Sequence, residues 1–372
     1  MSINTASRFA SDKKDSYRFI VGSSIIPVVS FRLEQTINTL FDSWVAEIAW
    51  IPGEDPGIDA DTSPFSYSDS FIYLGGQLAG TGRLYDVEQT LTDRGSSKVL
   101  YCHSKTVDLV DSKMPPDSSY ESHNGTLQDV ASSILGKLGY EWSIDGVSLA
   151  DVWPGAPFDW IAIDKIESYG AYLLRLARQR GVLVMNDEFG NVRFLRANPT
   201  QTPVGTIDDA SIQGAAKSQA SIGTVGAFEW KTKFEGRKLF NQYWVLGQGG
   251  DATQITSSGT DDNVPAGRVM TFEGQDVDTA SVQLSAAWRR SKAWADALSF
   301  PVPVASWYAP NGKLWRPGQI VTIKSAYVGT PNGYNFLIEG TEHVLDERGM
   351  TCTLKVVPPQ TFTGEPITGV FQ

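Results

Sequence analysis

Apolar and polar side chains alternate with a period of two along much of the first hundred residues. In residues 29–34 the apolar Val29, Phe31 and Leu33 interleave with Ser30, Arg32 and Glu34, and Trp44, Ala46, Ile48 and Trp50 make a second such face. This period places each apolar set on one side of a half-buried strand, so both stretches predict strands. "FIYLGGQL", "RLYDVEQTL" and "KVLYCHS" continue the β prediction to about residue 110, around a loop rich in Asp, Pro, Gly and Ser at 52–70.

The period then changes to that of a helix. Leu127, Val130, Ala131, Ile134, Leu135 and Leu138 recur at helical spacing, with Thr126 and Asp129 forming a capping box and Gly139 ending the helix. A second helix buries Tyr169, Tyr172, Leu173, Leu176 and Ala177, closes at Gly181, and leads into a hairpin whose turn spans 186–191. Beyond Pro199 and Pro203 the β pattern returns. Strands are predicted within 226–248 and "GRVMTFEG", around a polar loop at 249–263. One long helix is expected over 280–299, with the stripe Leu284, Ala287, Trp288, Ala295 and Leu298. Further β runs follow: "FPVPVASWY", "NGKLWRPGQIVTIKS" with turn signals at Asn311-Gly312 and Pro317-Gly318, and "YNFLIEGTEHVLDERGMTCTLKVVP". The last residues, 358–372, read as an irregular tail.

Two of these segments share a layout. Residues 84–104 read strand, Asp-Arg-Gly turn, strand; residues 338–358 read strand, Asp-Glu-Arg-Gly turn, strand. Such a turn is easily made, because Gly supplies positive φ and Asp bonds its own backbone. Two β regions ending on the same hairpin nevertheless suggest a pair of related β-barrel modules around an α/β insert. The expected fold class is a β-rich α+β chain. Its divisions are 1–111 (first barrel domain), 112–204 (α/β insert), 205–357 (second barrel domain, with helix 280–299) and 358–372 (tail).

At 372 residues the chain is too long for one compact core, and 35 glycines with 19 prolines fit a turn-rich β protein. A net charge of −11, with dispersed Lys and Arg, excludes a basic phosphate-binding face and so specific nucleic-acid binding. The longest early apolar run, 19–31, is too short to span a bilayer and no membrane association is expected. Cys102 and Cys352 sit in strand-like runs and read as buried free thiols. No metal, nucleotide or hydrolase-elbow motif is present, so no cofactor or metal site is expected. His103 and His343 are isolated in strands, and His123 precedes a helix. The nearest thing to a carboxylate pair is Asp159 and Asp164 around Trp160, with Trp153 nearby. A surface loop with an anchoring tryptophan is the plainer account of it. Eleven tryptophans suit an assembly protein that buries large rigid side chains at junctions. Trp288 and Trp294 lie six apart on one helix and do not share a face, so at least one is expected to meet a partner.

The series "SAAWRRSKAWADAL", "VPVASWYAPNGKLWRPGQIVTIKS" and "NFLIEGTEHVLDERGMTCTLKVVPPQTF" resembles the end of the baseplate hub proteins of contractile-tailed, Mu-like phages. "ESYGAYLLRLARQRGVLVMNDEFGNVRFLR" resembles the helix and hairpin that precede their second barrel. Together these cover about half the chain. The resemblance implies a non-enzymatic structural protein of the virion, located in the tail baseplate. Two tube-like barrels per chain in a homotrimer would make a pseudo-sixfold ring joining the sixfold tail tube to the threefold spike and letting DNA pass. Its expected partners are tube or tube-initiator proteins, the central spike protein and other baseplate proteins. Expected interface residues are Trp288, Arg289, Trp294 and Trp315. The alternative is a tail-associated cell-wall hydrolase or carbohydrate-binding module using Asp159 and Asp164. The spike of a type VI secretion system shares the hub fold, and its long repetitive C-terminal β-helix is not seen in this sequence.

Overall fold

A computed structural model describes residues 16–93, 95–113, 122–145, 158–161, 167–198, 200–208, 224–225, 231–248, 254–273, 279–304, 306–347 and 349–363. The first β series comprises β1 (Tyr17–Val21), β2 (Ser24–Ile26), β3 (Val28–Thr36), β4 (Ser43–Ala49), β5 (Asp69–Leu74), β6 (Gln77–Thr92) and β7 (Gly95–Ser104). Phe31, Leu33, Trp44, Ala46, Ile48, Leu100 and Cys102 fill its interior. Val29 was expected on that inner face, but it is exposed and Val28 is buried instead, because a register shift between Val28 and Ser30 reverses the alternation. "FIYLGGQL" is not one strand: Gly75 and Gly76 both take positive φ and turn β5 back into β6. The expected loop at 52–70 contains a short helix, α1 (Pro56–Asp61), capped by the Asp55 carboxylate and followed by a second short one, α2 (Val107–Asp111), after β7.

The middle of the chain packs two helices on small sheets. α3 (Leu127–Leu138) carries the predicted capping box, Thr126 with Asp129, and ends on Gly139 in the left-handed region. α4 (Tyr169–Gln179) is capped by Ser168. Strands β8 (Ser122–Gly125) and β10 (Phe158–Ile161) pair with each other. The predicted hairpin β11 (Leu183–Asn186) and β12 (Val192–Leu195) adds β9 (Trp142–Asp145) in parallel. Leu127, Ile134, Leu135, Tyr172, Leu173, Leu176 and Phe194 make one core here, as helical spacing requires.

The remaining strands are β13 (Thr206–Asp208), β14 (Thr224–Val225), β15 (Gln242–Gln248), β16 (Gln254–Thr260), β17 (Val269–Glu273), β18 (Phe300–Val304), β19 (Ile320–Ser325), β20 (Thr330–Asp346) and β21 (Gly349–Val357). The long helix is α5 (Thr279–Leu298). Two expectations fail. Residues 231–241 hold a short 3-10 helix, Gly236–Lys238, in otherwise irregular chain before β15, and part of the supposed polar loop is β16, paired along all seven residues with β15. Thr256, Ser258 and Thr260 face solvent in β16, so this strand lacks the apolar alternation that reveals others. The buried stripe of α5 is also displaced: Val282, Ala286, Ser291, Ala295 and Leu298 are buried, while Leu284, Ala287 and Trp288 are only partly so.

The two outer β series repeat one pattern of pairing. β5, β6 and β7 form consecutive antiparallel hairpins, with a register shift in β6 between Leu84 and Asp86, and β4 pairs the far side of β7. β19, β20 and β21 do the same, with a shift in β20 between Ile338 and Gly340, and β18 pairs the far side of β21. The closing pairs, Thr92 with Gly95 and Asp346 with Gly349, are the two look-alike turns of the sequence. Both series belong to one 13-stranded sheet, joined where Gly340–Leu345 of β20 pairs with β3.

Glu339 occupies that junction. Its backbone carbonyl accepts the Ile37 amide at 2.9 Å. Its side chain, 2% exposed, receives Asn38 Nδ2 at 2.5 Å, Lys355 Nζ at 2.8 Å and Lys292 Nζ at 3.4 Å. Burial pushes its carboxyl up, but the Lys292 charge and the Lys355 and Asn38 hydrogen bonds outweigh this and hold it below the usual range.

Asp42, also buried, ties the first series to the insert hairpin. It accepts Gln35 Nε2 at 2.6 Å and Asn186 Nδ2 at 3.1 Å. Here desolvation wins over these hydrogen bonds, and the carboxyl is raised to about 7. A folded-state value above the unfolded one means its contribution to stability is full below about pH 4. It is lost as pH rises towards 7. Asp42→Asn is therefore expected to flatten that loss, by up to about 1.4 kcal/mol per pH unit. Urea unfolding of both proteins from pH 4 to 8 checks this; parallel stability curves would refute it.

Candidate assembly surface

Helix α5 lies between the small β15–β17 sheet and the rest of the chain. Val282 and Ala286 pack with Val245 of β15. Ala295 and the partly buried Trp288 join Ile320, Leu337 and Phe362. Ala297, Ala293 and Trp294 pack with Leu239 and Val264. A long helix of ordinary composition is thus committed to three small clusters, and one flank remains open.

That flank borders a groove of about 660 Å³. Trp288, Arg289, Lys292 and Asp296 of α5 form one wall, Leu174 and Arg178 of α4 another, and Phe240, Tyr243, Met270 and Phe272 part of the floor. Arg237, Lys238 and the buried Phe362 also line it. Its basic side chains are Arg178, Arg237, Lys238, Arg289 and Lys292, and Asp296 is its one acidic lining residue among the described residues. In a chain of net charge −11 this is a local reversal of sign.

The structure separates the four expected interface residues. Trp288 stacks edge-on against Phe362 at 5.7 Å, and Arg289 lies over the Phe272 ring at 4.0 Å; both line the groove. Trp294 is partly buried on the neighbouring face, and its indole N–H donates to the Asp261 carboxylate. Trp315 is fully buried. Its Nε1 donates to the Ser306 carbonyl at 3.1 Å, inside the core beside Trp307. The turn that carries it, Pro317-Gly318, takes φ +85 at Gly318, where a Cβ would come within 2.8 Å of Leu195. Trp315 thus packs within its own chain and offers a partner nothing, while Trp288 and Arg289 do border a recess. Arg178, Arg237 and Lys238 were missed because they come from separate stretches with no shared motif.

Among the described residues the candidate chemical groups are buried or half-buried. His343 is fully buried; burial, then the Arg316 charge, pushes it down to about 3, so it is a neutral core residue. His103 is lowered by burial and packs between Phe41 and Tyr85. Cys102 and Cys352 are buried free thiols, both raised by burial. Asp164 and Trp153 lie outside the described residues, as do the side chains of Asp159, Trp160 and His123. Among the described residues no group of three or more His, Cys, Asp or Glu could hold a metal ion. No helix among them is long and apolar enough to cross a membrane.

Residues 278–365, which include α5 and the last hairpin, match the family model of the Mu phage baseplate assembly protein GpP, fourth domain. Residues 106–196 match that of the baseplate hub protein gp44-like, second domain. Those two segments are therefore similar to Mu-type baseplate domains. Over 306 residues it is 24% identical to the baseplate hub protein gp44 of Escherichia phage Mu, spanning 78% of this chain and 75% of that protein. The 43 kDa tail protein of prophage MuSo2 from Shewanella oneidensis superposes with a TM-score of 0.74 at 21% identity, over 93% of this chain and 99% of its own. A component of the E. coli type VI secretion system superposes at 0.57 and 10% identity, over 91% and 76%. The hub resemblance of the sequence therefore stands, and the fold is that of phage tail proteins.

The burial of Trp315 separates packing from assembly. Trp315→Ala is expected to cost about 3–5 kcal/mol of folding stability, whereas Arg178→Glu, at an exposed position, should stay within about 0.5 kcal/mol. Denaturant titration of the two variants measures this; equal losses would contradict the placement of either residue.

Proposed function

We propose that three copies of this chain form the ring of a contractile-tail baseplate hub, joining a sixfold tail tube to a threefold spike. The observation that carries the reading is the repeated strand pattern, β4–β7 and β18–β21, within one sheet. Two tube-like barrel modules per chain, taken three times, present six similar positions to a tube and retain threefold symmetry towards a spike. The domain divisions 1–111, 112–204 and 205–357 follow from this reading. The acidic balance of the chain suits a lumen through which DNA passes without adhering. The role is mechanical, in keeping with similarity to a baseplate hub protein and a prophage tail protein.

The partners proposed are further copies of the chain, tube or tube-initiator proteins on one side and the central spike protein on the other, all within the virion. Electron microscopy of assembled particles tests the proposal. End-on projections should show six lobes at one level passing to three at another, and light scattering should report the mass of three chains. A ring of any other symmetry would sink it.

A further inference from the structure

The joint between the first β series and the insert turns on two buried side chains, Asp42 and Asn186, 2% and 3% exposed. Asp42 immediately precedes β4, and its backbone is fixed to the end of β7. Its amide donates to Ser104 Oγ and its carbonyl accepts the Ser104 amide, both at 3.0 Å. Asn186 closes β11, at the start of the turn that leads to β12.

The two oxygens of the Asp42 carboxyl are treated unequally. Oδ2 receives two N–H groups, Gln35 Nε2 at 2.6 Å and Asn186 Nδ2 at 3.1 Å. Oδ1 receives none among the described residues, and neither does Asn186 Oδ1. Other contacts fix which way each amide points. Gln35 Nε2 also donates to the Ala79 carbonyl at 3.2 Å, and Asn186 Nδ2 to the Asp187 carbonyl at 3.1 Å. A carboxylate has two equivalent acceptor oxygens and, once buried, needs both supplied. A carboxylic acid has one acceptor oxygen and one O–H donor. The pattern at Asp42 is that of the acid: one oxygen accepts twice and the other accepts nothing. An acid O–H needs an acceptor, and Asn186 Oδ1 is a buried one on the amide that already meets this carboxyl.

The surrounding charges divide. Burial acts most strongly and favours the neutral form, and the Asp187 carboxylate favours it too. Gln35, Asn186 and the Arg316 charge act against it. Arg316 is engaged elsewhere as well, with Glu188 at 3.3 Å and the Leu78 carbonyl at 2.5 Å.

We propose that Asp42 and Asn186 form a two-point acid–amide pair, Asp42 Oδ1–H donating to Asn186 Oδ1, which latches the insert hairpin to the first β series. When the proton leaves for solvent, the O–H···O bond is lost and a carboxylate oxygen faces an amide oxygen in a buried site. The latch therefore loosens as pH rises through about 7. Glu188 on Arg316 still holds the tip of the same hairpin, so the loosening is local to β11 and β12. This latch is independent of the ring proposed above.

A double-mutant cycle of Asp42→Ala, Asn186→Ala and the two together, read by urea unfolding of the full chain at pH 5 and pH 8.5, tests the pair. An acid–amide pair gives a coupling of about 10-fold in the unfolding constant at pH 5 that fades at pH 8.5. A carboxylate accepting a single amide N–H gives the opposite trend, because a charged acceptor bonds more strongly. Coupling that grows with pH therefore overturns the proposal. Hydrogen exchange of the backbone amides at 183–195 supplies a second reading without a cavity. Corrected for its intrinsic pH dependence, protection in the wild type is expected to fall about 10-fold between pH 5 and pH 8.5. Asp42→Asn, whose N–H replaces the acid O–H, is expected to keep its protection at both. The same change in both proteins, or none in either, overturns the latch.

Discussion

The carboxylate of Glu339 is the point on which three parts of the molecule converge. It sits at the register shift of β20, where the strand's partner changes from β19 to β3. Asn38 from the turn after β3, Lys292 from α5 and Lys355 from β21 all reach it. A buried charge is tolerated only when its partners are supplied by the surrounding fold. The first β series, the long helix and the last hairpin must therefore be in place together for Glu339 to be satisfied. The ion pairs do not so much add stability as penalise every arrangement in which one of the three parts is displaced.

Charge also organises the exterior. The chain is acidic as a whole, yet basic side chains gather on the rim of one recess beside α5. Its floor is aromatic, and α5 supplies one wall while meeting separate clusters on its other sides. That helix is long enough, at 20 residues, to touch the insert, the small sheet and the main sheet in turn. Its modest apolar content follows from this: no single face is given wholly to one core.

Much of this was legible in the sequence, and the failures have physical causes. The capping box at Thr126, the closing Gly139 and the α4 stripe were read correctly because helix periodicity and caps are local signals. The paired hairpins were visible because their turns have strict backbone demands. β16 was invisible because its outer face is Ser and Thr, and the partner that makes it a strand is not encoded within it. Val28 and Val29 were exchanged by a register shift that no alternation rule anticipates. For the candidate surface, tryptophan content pointed to α5 and to Trp288, which lines the recess, but it also selected Trp315, which is buried and donates to the Ser306 carbonyl. The basic rim was illegible, since Arg178 and Arg237 meet only in three dimensions.

The pairing of β20 with β3 joins residues about 300 positions apart, Thr36 with Gly340 and Phe31 with Leu345. Such contacts delay folding, because the intervening chain must be ordered before they form. On a ribosome, β3 and β4 emerge first and can pair at once, but the other edge of β3 waits for almost the whole chain to be synthesised. Through that interval an unpaired strand edge is open to the wrong partner, including the same edge on a neighbouring nascent chain. Arg32 and Glu34, exposed on the outer face of β3 and later joined by Glu342, are the charges that guard it during the wait.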